Sequence, residues 1–200
     1  MEAAHAFAVQ VISRYGRGVM DKEVIPDLRK LLDAVFAGST SRQSFLHGEG
    51  HWKCVAWTGL QLGQAIPEVD CGVVFLFGLF HDAQRLNDGH DPDHGRRAGK
   101  YLRQLHGEVF RLPETRLDLL TQACNAHADG LTTTDPTIGA CWDADRLNLW
   151  RVGTKPSPKF LSTAPAKRTD AIARAEKFEG QRMTWEAIIL RIEADERGDD

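Results

Sequence analysis

The stretch Gly72–Arg85, GVVFLFGLFHDAQR, decides the reading of the chain. From Cys71 to Phe80 no side chain is polar, so the element must be covered on every side, and His81 and Asp82 emerge where other elements already surround them. Burying an ionised carboxylate is costly unless something compensates it. A divalent cation does so, and neutral imidazole with carboxylate is a common ligand mixture for Zn, Fe, Mn or Ni. The alternative is that His81 and Asp82 hydrogen-bond each other at a helix end.

Outward from this stretch, helical periodicity dominates and no repeat or low-complexity tract interrupts it, so the spacing predicts an all-α fold. Ala3–Tyr15 and Asp21–Phe36 read as amphipathic helices, the second capped by Asp21 with Leu28, Leu31, Leu32 and Val35 at core spacing. After the Ser- and Thr-rich loop Gly38–Ser44, a helix over Glu49–Ala65 ends before Pro67 and carries His51 on the face of Val55 and Leu62. The loop NDGHDPD offers Asp91 as a cap and Pro92 as a first helical residue for a helix over Asp93–His106. There, His94 leads the apolar set Ala98, Tyr101, Leu102 and Leu105. The next helix, entered through Pro113, puts Leu117, Leu120 and Cys124 on a stripe that His127 continues. Thr134-Asp135-Pro136 opens another, where Asp145 shares the face of Ile138, Cys141, Trp142 and Leu149, while Asp143 falls with Ala140, Leu147 and Trp150. From Arg151 the texture turns to TKPSPKFLSTAPAKR, about as long as functional lids tend to be. Helices over 166–178 and 184–194 follow, then an acidic tail.

Two hundred residues suit one domain: residues 1–150 form a helical unit, and 151–200 a linker and C-terminal helices packed on it. Four cysteines, with no C-x-x-C pair and each in apolar context, read as reduced core residues, which points to the cytoplasm. The N-terminal residues lack the pattern of a signal peptide. The run Cys71–Phe80 is about half of a membrane span, so no membrane is expected as a partner. A net charge of -3 with interspersed Lys and Arg argues against polymeric nucleic acid.

His51, His81, Asp82, His94, His127 and Asp145 come from successive helices, each on or beside a core face. Six polar groups would need private partners, whereas shared cations satisfy all of them together. His47, one turn before His51, is its rival. His90 and Asp91 read as capping or supporting groups, His5 and His106 as solvated or packing residues.

The order of a His on one helix, an adjacent His-Asp pair and a distant Asp resembles the HD superfamily of metal-dependent phosphohydrolases. His51 in HWKCVAW, His81 and Asp82 in HDAQR, and Asp145 in DADRL carry the resemblance over about residues 45–150. It implies an HD-domain-like helical bundle. His94 in HGRRAG and His127 in NAHADG stand where members with two metals have further ligands, which implies a binuclear centre bridged by Asp82. Arg85 stands where many members carry Lys, and residues beyond 150 fall outside the shared core.

The expected activity is metal-dependent hydrolysis of a small phosphate ester or nucleotide, with one or two divalent transition-metal ions (Mn, Fe, Ni, Co or Zn) activating water. Asp82 and Arg85 are the expected catalytic residues. Arg85 is suited to bind phosphate oxygens in a fork, its alternative being a surface ion pair. Lys155, Lys159, Lys167 and Arg168 either close over a phosphorylated substrate or form a solvated linker. Two other functions share the ligand set: an HD-fold di-iron oxygenase, and a metal-stabilised binding module without turnover.

Overall fold

A computed structural model describes residues 22–177 and 183–190. Among them the regular structure is helical, without strands: α1 (Leu28–Gly38), α2 (Glu49–Gln64), α3 (Cys71–Phe80), α4 (His94–Leu105), α5 (Glu114–Ala126), α6 (Pro136–Leu147) and α7 (Thr169–Lys177). Short 3-10 turns at Leu149–Val152 and Pro158–Phe160 punctuate the connection between α6 and α7. Residues 185–190 are also helical.

α3 is the axis of the bundle. Every residue from Gly72 to Phe80 is buried, with α2, α4, α5 and α6 packed around it. Each large side chain taken from water there contributes roughly 1.5–3 kcal/mol. Asp70 starts the helix by accepting Val73 N–H at 3.1 Å, and Arg116 from α5 grips the same carboxylate at 2.5 and 2.7 Å. One helix is thus capped and tied to its neighbour by one side chain.

Two glycines set how closely the histidine-bearing helices approach. A β-carbon at Gly78 would lie 2.7 Å from the Cα of Ala56, so α3 crosses α2 backbone to backbone. A β-carbon at Gly95 would collide with Cys124 O, and α4 therefore rides directly on the end of α5. These contacts bring His81 beside His51 and His94 beside His127.

Several boundaries differ from the sequence expectation. The helix expected over 21–36 begins at Leu28, because Pro26 disfavours helical conformation at Ile25 and Asp27, not Asp21, accepts Lys30 N–H at 3.0 Å. α4 is capped at Asp93 rather than Asp91, and Pro92 lies outside the helix. Asp91 is diverted: its carboxylate accepts Leu86 N–H at 2.9 Å and Arg97 at 2.5 Å. α7 starts at Thr169, later than expected. Ala3–Tyr15, Asp21 and His5 lie outside the described residues, as does the end of the helix expected over 184–194. Among the described residues no helix is long and apolar enough to cross a membrane.

Candidate metal centre

Past the end of α3 the chain continues as a turn whose carbonyls need partners outside a helix. The Ser-Thr loop after α1 supplies hydroxyls: Ser41 Oγ donates to Asp82 O at 2.7 Å, Ser39 Oγ to Ala83 O at 2.8 Å, and Thr40 Oγ1 to Arg85 O at 2.6 Å. The backbone that carries His81, Asp82 and Arg85 is thereby fixed without a continuing helix.

Six side chains converge on this point as two buried triads, His51–His81–Asp145 and Asp82–His94–His127. Within each, one ligand atom per residue lies within 4.8 Å of the others. The two oxygens of Asp82 face different triads. Oδ2 is 3.6 Å from the Nε2 atoms of His51 and His81, while Oδ1 is 3.2 Å from His94 Nε2 and 3.7 Å from His127 Nε2. Asp145 Oδ1 is 3.1 Å from His51 Nε2.

Backbone carbonyls dictate the tautomers, because a carbonyl can only accept. His81 Nδ1 donates to Phe77 O and Gly78 O at 3.2 Å each, His94 Nδ1 to Asp91 O at 2.5 Å, and His127 Nδ1 to Cys124 O at 2.7 Å. In neutral rings each Nε2 then presents a lone pair to the centre. Stacking of His81 on Phe77, with centroids 5.0 Å apart, holds its plane.

The charge states suit a cation. Burial pulls His51 down to about 4 and His81 to about 3, and it lowers His94, so these rings are neutral. Burial alone would raise Asp82, but His81, His127 and His47 outweigh it and hold the carboxyl well below the usual range. Arg151, His51 and His81 do the same for Asp145. His127 is the exception: burial lowers it, but Asp82 and Asp145 outweigh this and raise it. Positive charge beside the two carboxylates comes from Arg85, 3.6 Å from Asp82, and Arg151, 3.4 Å from Asp145. Even so, His51 Nδ1, Asp82 Oδ1 and Asp145 Oδ1 have no hydrogen-bond partner. Neutral imidazoles with inward lone pairs, ionised carboxylates and orphaned oxygens are the donor set a divalent metal needs. The residues present fit the group.

His47, the rival of His51 in the sequence, is in the site as well. It is buried, and its Nδ1 lies 3.0 Å from Asp82 Oδ2. Trp52 Nε1 fixes it by donating to its carbonyl at 2.6 Å. Sequence reasoning missed Arg151: Nη2 lies 3.4 Å from Asp145 Oδ1 and from His47 Nδ1, with Nε on Leu46 O at 2.9 Å. A lone basic residue beyond a helix end carries no signal of direction. Arg85 is part-buried rather than a surface ion-pair residue, with Nη1 3.6 Å from Asp82 Oδ1 and 3.2 Å from His94 Nε2. Asp91 supports the site through its carbonyl to His94, whereas His90 is exposed and His106 pairs with Leu112. Asp143 points away from the triads, to the connection after α6, where it accepts from Ser162 and Thr163.

Compared with known proteins, the chain matches no family model, no curated relative and no solved structure. The likeness to an HD site accordingly rests on these residues and their geometry.

Proposed function

We propose that the protein is a metal-dependent phosphohydrolase acting on a small phosphate ester or nucleotide. The observation that carries this reading is Arg85 beside the two triads. Its Nε and Nη2 are anchored on Asn87 O at 3.3 Å and Gly89 O at 2.8 Å, which leaves Nη1 facing the centre at Asp82 and His94. A site built only to hold cations gains nothing from a guanidinium at that place, because like charges weaken metal affinity. A phosphate oxygen is the natural partner of such a group.

In this reading His51, His81 and Asp145 would hold one ion, His94 and His127 another, and Asp82, whose two oxygens face the two triads, would contribute to both. Divalent metal lowers the pKa of water from 15.7 to about 7 and polarises a phosphoryl oxygen. Arg85 orients the phosphoryl group and stabilises charge that develops on its oxygens. His47 donates to Asp82 and fixes the carboxylate plane; Asp91, through its carbonyl, fixes the tautomer of His94.

The test is an anaerobic assay of nucleotides and sugar phosphates for released phosphate or pyrophosphate, with Mn, Co, Ni, Zn or Fe supplied in turn. Asp82→Ala should be inactive, and Arg85→Ala should keep its metal while losing kcat/KM. Turnover only with iron and oxygen would replace this reading by oxygen chemistry. Absence of turnover with every metal and ester would leave a metal-stabilised binding module.

A further inference from the structure

Arg151 reaches the first triad at Asp145 as Arg85 reaches the second at Asp82, and the two are held in the same way. Arg85 rests on the carbonyls of Asn87 and Gly89. Arg151 rests on Leu46 O at 2.9 Å and Asn148 O at 3.0 Å. Each keeps one terminal amino group free of backbone partners, and each directs it at a ligand carboxylate: Arg85 Nη1 at Asp82 Oδ1, 3.6 Å away, and Arg151 Nη2 at Asp145 Oδ1, 3.4 Å away. Asp82 separates them, since Oδ1 faces Arg85 while Oδ2 faces His47, which in turn contacts Arg151. Both guanidinium side chains are largely buried, at 11% and 18% exposure, so bulk water does little to screen them.

In metal-loaded protein the carboxylates of Asp82 and Asp145 are neutralised by cations. The two guanidiniums then stand beside like charge with their former partners occupied, and the carbonyl anchors prevent them from turning away. Only an anionic ligand offsets that arrangement, and one phosphoryl group held by Arg85 leaves Arg151 unanswered.

We propose that Arg85 and Arg151 are two separate phosphoryl-binding posts, Arg85 beside Asp82 and Arg151 beside Asp145, and that the favoured substrate therefore carries two phosphoryl groups, a diphosphate being the simplest. The inference rests on the phosphohydrolase reading and narrows it. For a diphosphate, water forms a bond to one phosphorus and the bridging P–O bond breaks. The leaving phosphate takes the electron pair, and the protons of water pass to the product phosphate and to solvent. Arg85 holds one phosphoryl group beside the Asp82–His94–His127 triad, and Arg151 holds the other.

The experiment is equilibrium binding of methylenediphosphonate and of methylphosphonate to the metal-loaded full chain, with metal content checked after each titration. Wild type should prefer the diphosphonate by about tenfold or more. Arg151→Gln should erase that preference with metal content intact, and Arg151→Lys, which keeps the charge but not the fork, should retain part of it. Arg85→Gln should weaken both ligands. An unchanged preference in Arg151→Gln overturns the proposal. So does loss of metal in both Arg151 variants, which would make Arg151 a structural partner of Asp145. If wild type binds neither phosphonate and hydrolyses no phosphate ester, the phosphohydrolase reading falls and takes the inference with it. If it hydrolyses monoesters but shows no diphosphonate preference, only the inference falls.

Discussion

The Nε2 atoms of His94 and His127 face each other at 2.9 Å while both Nδ1 atoms donate to backbone carbonyls. Two neutral rings in that tautomer set lone pair against lone pair, which a proton or a cation must relieve. Asp82 completes this triad and, among the described residues, is also the one carboxylate within 3.6 Å of both His51 and His81. His94→Ala should therefore lose about one of two bound ions. Asp82→Ala should lose both. Elemental analysis of folded samples measures this, and equal losses in the two variants would refute the bridging role.

Stability should depend on pH in the chelated protein. His51 and His81, at about 4 and about 3, lie below the ordinary value of 6.5, and His94 is shifted the same way. The folded state thus binds fewer protons than the unfolded chain, so stability present above about pH 6.5 is lost as pH falls. Each such histidine contributes at most about 1.4 kcal/mol per pH unit. His127, shifted upward, has the opposite sign and offsets part of the slope. Melting temperatures of chelated protein should fall from pH 7 to pH 5. A flat or rising profile would show that the rings are charged when folded.

Much of this was legible in the sequence because buried polar groups on apolar helical faces are conspicuous. His94 and His127 extend stripes whose other members are core residues, and both are buried as the spacing requires. All six expected ligands meet in space. What the sequence hid depends on long-range backbone partners. Arg151 sits beyond α6, and the carbonyls that aim it belong to Leu46 and Asn148. His47 precedes α2, and only the position of Asp82 makes it more than a loop residue. Asp91 has the composition of a cap, yet Arg97 and the Leu86 amide claim its carboxylate.

The helix crossing that positions the first triad leaves no room for a methyl group. A β-carbon at residue 78 would sit 2.7 Å from Cα, Cβ and N of Ala56, and backbone atoms cannot yield as a flexible side chain does. Gly78→Ala should cost about 1–3 kcal/mol of stability by overpacking. It should also separate His51 from His81, now 3.2 Å apart between their Nε2 atoms. The measurable result is a lower denaturant midpoint together with weaker metal uptake. A variant as stable as wild type would mean that α2 and α3 can slide without penalty.

The Ser157–Lys167 part of the connection between α6 and α7 should be separable from the metal centre even though it is tied to the same helix. Asp143 and Asp145 are two residues apart on α6 and face different neighbours. Asp145 joins the first triad, whereas Asp143 accepts Ser162 N–H and Thr163 N–H at 2.7 Å each and the Thr163 hydroxyl at 2.8 Å. Asp143→Asn turns one of those oxygens into an amino group facing a donor, at a cost of about 1–3 kcal/mol. The Ser157–Lys167 segment should then become the first site of limited proteolysis, detected by mass spectrometry of the fragments. Metal content should not change, because between Val152 and Lys167 there is no His, Asp or Glu. Arg146 spans the segment and the second triad: it donates to Phe160 O at 2.7 Å and to His127 O at 3.4 Å. Loss of one ion on loosening the segment in otherwise folded protein would therefore implicate Arg146 and make the connection a support for the second triad.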